Sequence, residues 1–192
     1  MVFLYFCAPI LFLMKKRFIL FFISAVMVHL LHSQSFIWIY DEAKEYDIPI
    51  GKGLYGELHQ GNFYPEMEEY YDQYTLNEAV IQQLNQKLKN ITPQDSIKID
   101  IYFGAWCGDS KEHLPAFMKI VDALSSIDEK NIVLIGCDRD KNAGCLDISE
   151  AKIEFVPTFF FLINGTIIGK IIETPEQSLE EDFLLIMQNF EK

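Results

Sequence analysis

Two apolar runs, TFFFLI (158–163) and TIIGKII (166–172), are separated only by Asn164-Gly165. Both central positions of such a two-residue turn need positive φ, which Asn and Gly tolerate, so the stretch predicts an antiparallel hairpin. Strands this apolar are stable only inside a larger sheet, and the chain supplies partners. IKIDIYF (97–103) and IVLIGC (132–137) read as buried strands from their β-branched and aromatic content. Between them, from Ser110 onward, Leu114, Phe117, Met118, Val121 and Leu124 fall on one helical stripe. Ser178-Leu179-Glu180-Glu181 has the form of a capping box and opens a last helix with Leu179, Phe183, Ile186 and Phe190 facing inward. A helix between two strands makes them parallel neighbours, and the hairpin adds an antiparallel edge. The expected fold is therefore α/β, a mixed central sheet with helices on both faces.

Upstream, a helical pattern begins at Pro65. Thr75-Leu76-Asn77-Glu78 reads as a capping box, Leu76, Val80, Leu84 and Leu88 recur every four residues, and Asn90 and Pro93 close the helix. Residues 34–64 are aromatic and turn-rich with no sustained period, so they are expected to wrap the domain. Gly51-Lys52-Gly53 lacks the spacing and the following Ser or Thr of a phosphate loop. A short helix is expected between Asn142 and Lys152. The organisation that follows is a leader at 1–33, an N-terminal aromatic arm and helix at 34–90, and a main domain at 91–192.

The leader is read from Met14-Lys15-Lys16-Arg17, the mostly apolar run Phe18 to Leu31 and the small polar exit His32-Ser33. A basic start, a short apolar stretch and a small residue at the end describe a secretory signal, which makes the protein exported, periplasmic or extracellular. Met14 is a candidate for the true start. Neither apolar run of the first 31 residues reaches the roughly 20 residues of a spanning helix, so the membrane is expected to be met only through an uncleaved leader. Removing 1–33 leaves 13 Lys and Arg against 28 Asp and Glu, a formal charge of −15. Such a surface repels phosphate backbones, and no nucleic-acid partner is expected.

Chemistry concentrates in FGAWCGDS (103–110). Cys107 sits where a buried strand ends and a helix begins, and the unpaired N–H groups of a helix N-terminus favour thiolate over thiol. Asp109 opposes this, because a neighbouring carboxylate disfavours a second negative charge. Gly108 is expected to let the turn tighten and to bare the sulfur. Ser110, one turn on, can donate a hydrogen bond to the thiolate, but it cannot attack a mixed disulfide.

Four features together resemble the thioredoxin family across residues 97–190. They are the Trp106-Cys107-Gly108 turn, Pro115 within the following helix, Val156-Pro157-Thr158, and the Asn164-Gly165 hairpin. The fuller wording, WCGDS with later DRDK and VPTFFF, is similar to the WCGDS-type thioredoxin-like proteins of bacteria. The resemblance implies a thioredoxin-like fold and thiol–disulfide exchange of the oxidoreductase or isomerase kind. Cys107 would be the nucleophile. A cis-proline turn at Pro157 would face the sulfur and, with Val156 and Thr158, shape a groove that takes the partner backbone as an added strand. Trp106, Gly108 and Asp109 would line the partner's side of the turn. Partners would be protein or small-molecule thiols and disulfides, with no cofactor. Two departures stand out. The family's second cysteine is Ser110, a CxxS motif, and its buried acid six residues before the first cysteine falls on Ile101, while Asp100 points to the opposite face.

Beyond the leader the chain has three cysteines, Cys107, Cys137 and Cys145. An odd number permits one internal disulfide at most. Three arrangements remain open: a Cys137–Cys145 bridge, Cys137 or Cys145 acting as the resolving thiol for Cys107, or both inert. A copper site of Cys107, Cys137 and His113 matches no tight ligand spacing, so no metal is expected. Asp138, Arg139 and Asp140 read as a solvated turn with local charge pairing. A non-catalytic thioredoxin-fold binding module, using the segment 36–90, is the alternative function.

Overall fold

In the computed structural model, which describes residues 35–91 and 96–190, six strands form one sheet. They are β1 (Ile37–Asp41), β2 (Tyr46–Gly53), β3 (Ile97–Phe103), β4 (Ile132–Gly136), β5 (Thr158–Ile163) and β6 (Thr166–Ile172), in the order β1-β2-β4-β3-β5-β6. The expected leader at 1–33 and Pro93 lie outside the described residues. β3 and β4 run parallel, from Ile99 opposite Ile132 to Phe103 opposite Gly136. β5 lies antiparallel on the other side of β3, and the 158–172 hairpin closes that edge through Asn164 (φ 52°) and Gly165 (φ 76°), as the turn chemistry requires. The sheet is mixed and the class is α/β.

The segment expected to wrap the domain is instead the other half of the sheet. β1 and β2 pair with each other, and β2 pairs antiparallel with β4, Gly51 opposite Gly136. This approach depends on glycine, since a Cβ on Gly136 would stand 2.2 Å from the Pro49 carbonyl oxygen. The strands escape sequence reading because Pro49 and three neighbouring polar or glycine residues break the alternation that marks a strand.

Four helices follow the sequence pattern more closely: α1 (Tyr64–Gln73), α2 (Glu78–Lys89), α3 (Gly108–Asp122, with Pro115 inside it) and α4 (Leu179–Asn189). The α2 cap is Asn77, whose side chain accepts from the Val80 N–H, two residues later than the expected Thr75. The reason is long-range: the buried Glu180 accepts the Asn77 N–H at 3.0 Å and binds the Tyr74 hydroxyl, which fixes the chain entry there. Ser178 caps α4 as its box predicts.

The large core lies under one face of the sheet. Ile99, Ile101, Phe103, Phe159 and Phe161 meet Met67, Leu84, Leu114, Phe117 and Phe183 from the helices. Tyr102, which alternates with the core residues of β3, and Val133 and Ile135 of β4 join Cys137 and Ala143 in a smaller cluster on the other face. There Ile148, Ala151 and Ile153 of the loop after β4 pack over it. The short helix expected between Asn142 and Lys152 shrinks to a single 3-10 turn, Ser149–Ala151. Gly144 (φ 65°) and the Asp147 side chain, which accepts the Ser149 N–H, favour turns over a continuous helix.

Candidate active site

The parallel strands β3 and β4 end on one edge of the sheet, and α3 starts there. Cys107 occupies the N-cap of α3 and is half-buried. Its Sγ donates to the Val156 carbonyl at 3.2 Å, and the Val156–Pro157 peptide is cis. Pro157 is held from behind, because its carbonyl accepts the Glu173 N–H at 2.7 Å. Thr158 donates its hydroxyl to the Phe155 carbonyl at 2.8 Å and pairs with Tyr102 in the sheet. Cys107 and the Val156-Pro157-Thr158 turn therefore share one rim, beside the exposed ring of Phe155.

Ser110 is fully buried, and its Oγ accepts the Gly104 N–H at 3.1 Å. The hydroxyl thus ties the start of α3 back to the end of β3. Trp106 is half-buried and donates its Nε1–H to the Cys137 carbonyl at 2.9 Å. Gly104 makes room for the ring: a Cβ there would fall 2.6 Å from the indole Cε2. At Gly108, by contrast, a Cβ would meet nothing within 4 Å, so glycine leaves open space beside the sulfur and is not forced by a tight turn. Asp109 is half-buried on the first turn of α3.

Cys137 continues the β4 line, its N–H donating to the Phe103 carbonyl at 2.8 Å, and its side chain turns into the smaller cluster at 0% exposure. Burial, reinforced by the Asp138 carboxylate and partly offset by Lys141, pushes its thiol up to about 12. At neutral pH the side chain is therefore held as the thiol. Cys107 and Cys137 both carry thiols, so no Cys137–Cys145 bridge is present, and Cys145 is exposed on the loop after β4. Ile101 is fully buried in the large core, while Asp100 pairs with Lys98 at 3.1 Å on the opposite face. His113 is half-buried on α3, and among the described residues no three His, Cys, Asp or Glu side chains gather as a metal site.

Sequence reasoning missed the N-terminal contribution to this rim. Arg139, expected to pair within its own turn, reaches Asp41 at the end of β1, with Nε to Oδ2 at 3.0 Å and NH2 to Oδ1 at 3.4 Å. Asp138 closes the turn instead by accepting the N–H groups of Asp140 and Asn142. Asp41 is buried and also accepts the N–H groups of Ala43 and Lys44. Burial pushes its carboxyl up, but Arg139 and these amides outweigh that and hold it below the usual carboxylate range. The Arg139 guanidinium and the Lys141 ammonium each lie 5.1 Å from the Trp106 ring centre. Tyr46 of β2 donates to the Ala105 carbonyl at 3.1 Å. Lys111, buried one turn after Cys107, pairs with Glu66 of α1 at 2.5 Å.

The sequence profile of the thioredoxin family matches residues 75–184. Mitochondrial thioredoxin-3 of Saccharomyces cerevisiae is 31% identical over 97 residues, half of this chain and 69% of that protein. Among solved structures, Chlamydomonas reinhardtii thioredoxin f2 is 19% identical and aligns with a TM-score of 0.39, covering 56% of this chain and 90% of that one. A protein of unknown function from Pseudomonas aeruginosa is 14% identical, with a TM-score of 0.46, covering 66% and 82%. The chain belongs to the thioredoxin family, whose domains serve thiol–disulfide redox chemistry and typically act on protein thiols and disulfides.

Proposed function

We propose that this protein is an exported, monothiol thiol–disulfide exchange protein that works through Cys107. The observation that carries the reading is the contrast between two side chains one helical turn apart. Cys107 is half-exposed at a helix N-cap and directed at the Val156 carbonyl, whereas Ser110 is buried and engaged by Gly104. Exchange runs through a thiolate, and the half-exposed sulfur at the N-cap is open to the disulfide it must reach. That thiolate attacks one sulfur of a partner disulfide, forming Cys107–S–S–R and expelling the other sulfur as a thiolate that takes a proton from water. A second thiolate, from the partner or from a small thiol, then attacks the mixed disulfide, joins to the R sulfur and returns Cys107 as thiolate. No net oxidation of the protein is required, which suits isomerase-like or mixed-disulfide chemistry.

The turn at Val156-Pro157-Thr158 would receive the partner backbone, with Trp106 and the space beside Gly108 on the other flank. For resolution within the chain, Cys145 is the exposed candidate. Cys137 would first have to leave its cluster. The export half of the proposal rests on the pattern of residues 14–33.

The test is a thiol map of the protein taken from the exported fraction under acid quench, with differential alkylation and peptide mass spectrometry. Cys107 reduced or capped by an outside thiol supports the monothiol reading. A Cys107–Cys145 bond would make the protein a two-thiol oxidoreductase. A Cys107→Ser variant that retains all exchange with a disulfide peptide would leave only a binding module. Recovery of the chain solely from the cytoplasm, with its N-terminus intact, would end the export reading.

A further inference from the structure

We propose that the β1–β2 hairpin is a working part of this site, with Asp41 a positioning residue that sets the Trp106 indole through Arg139. The inference rests on the reading of Cys107 as the exchanging thiol and adds to it residues that lie before the stretch matched by the family.

The Trp106 indole, immediately before the nucleophile, has two kinds of restraint. Its Nε1–H is fixed on the Cys137 carbonyl, and its face meets the Arg139 guanidinium. The ring also rests on Gly104, packs against the large core and has the Lys141 ammonium 5.1 Å from its centre, so Asp41 and Arg139 act on the freedom that these contacts leave. The guanidinium limits this only if it is itself held, and Arg139 is a surface side chain with 46% of its area exposed. Asp41 holds it. The carboxylate is 6% exposed, accepts from both Nε and NH2, and is locked to its own turn by the Ala43 and Lys44 amides. A fork so gripped has a defined plane, which a lone surface arginine lacks. The next residue back is fixed by the same hairpin, since Tyr46 donates to the Ala105 carbonyl. Lys111, whose N–H donates to the Cys107 carbonyl, lies 5.6 Å from the Tyr46 ring centre. The hairpin thus reaches residues on both sides of Cys107. The functional consequence is specificity: the orientation of Trp106 sets which partner surfaces fit beside the sulfur.

The experiment uses the full chain carrying Trp38→Phe, which leaves Trp106 as its single tryptophan. Acrylamide quenching reports the exposure of the indole, and peptide-resolved mass spectrometry follows the rate at which oxidised glutathione modifies Cys107. Asp41→Asn is expected to raise the quenching constant about two-fold and to slow modification about five-fold, the scale of one desolvated cation–π contact. Arg139→Gln should do the same, Asp41→Glu should recover part of both effects, and the double variant should be no worse than either single one. Additive effects of Asp41→Asn and Arg139→Gln, or a folded Arg139→Gln protein with unchanged quenching, would overturn the proposal. If Asp41→Asn does not fold, Asp41→Glu takes its place: its rise in quenching must vanish in the Arg139→Gln background, and a rise that persists there overturns the proposal. A parent protein whose Cys107 does not exchange with glutathione would count against the thiol reading, while the quenching measurement would still decide the role of Asp41.

Discussion

Ser110 stands where a dithiol enzyme would carry its second sulfur, and its burial gives it a structural duty. Its Oγ satisfies the Gly104 amide, so Ser110→Ala leaves a buried N–H unpaired and should cost about 1–3 kcal/mol, read as a lower urea midpoint. Ser110→Cys puts a thiol one turn from Cys107. On mild oxidation that variant is expected to lose two alkylatable thiols within one peptide, and retention of both would mean that this turn cannot close a CxxC bond. Cys137 makes a prediction about pH. Its folded thiol, at about 12, lies above the roughly 8.5 of an unperturbed cysteine, so folded and unfolded chains both hold the proton below about pH 8. Between 9 and 12 only the folded chain holds it, and stability must fall as pH rises. The drop in urea midpoint from pH 8 to pH 10 should be smaller in Cys137→Ala than in the parent, and equal drops would show that the thiol is not shielded. Cys107, the sulfur proposed for exchange, stood out with its CxxS wording because both are local in sequence. Asp41 was not, for its partner Arg139 lies 98 residues away, and a charge in a turn looks solvated until the fold brings its counterion.

At the level of elements, legibility followed the strength of the local signal. β3, β5 and β6 were expected at 97–103, 158–163 and 166–172 and occupy those spans, because β-branched and aromatic runs bounded by turn residues leave one good solution. The last helix was equally clear, since cap and apolar stripe agree. β1 and β2 were hidden because their connection, Glu42 to Glu45, has no hairpin dipeptide and places Glu45 at φ 62°. Their strand character comes from docking: Ile48 and Ile50 are buried, and β2 lies on β4 at a pair of glycines. That contact can be tested directly. Gly136→Ala places a methyl against the Pro49 carbonyl, and backbone cannot swing aside as a side chain can. The variant should lose about 1–3 kcal/mol and, in hydrogen exchange, release the amides of β2 before those of β3. Uniform loss of protection across the sheet would mean that the hairpin is not a separable element.

For the molecule as a whole, charge is what the sequence states most directly and what partner choice should feel first. The formal charge is −12 for the full chain and −15 without residues 1–33. A field of that sign draws cationic disulfides toward the rim and holds anionic ones off. Arg139 and Lys141 are the local counterweight, stacked on Trp106 beside the sulfur. Arg139, however, is paired with Asp41, and Asp109, Glu112, Asp138 and Asp140 flank Cys107 and Cys137 in sequence. The global field should therefore win. Cystamine, a dication, is expected to modify Cys107 about ten-fold faster than the dianion dithiodiglycolate at low ionic strength. Raising salt until the screening length falls to about 3–8 Å should shrink that ratio toward the intrinsic reactivity of the two disulfides. A ratio that ignores salt would mean that contacts at the rim, not the field, choose the partner. A reversed ratio at low salt would mean that Arg139 and Lys141 present their charge to the incoming disulfide despite Asp41. The same pair of reagents applied to Arg139→Gln tells these apart, because only in the reversed case does removing the guanidinium slow the anionic reagent selectively.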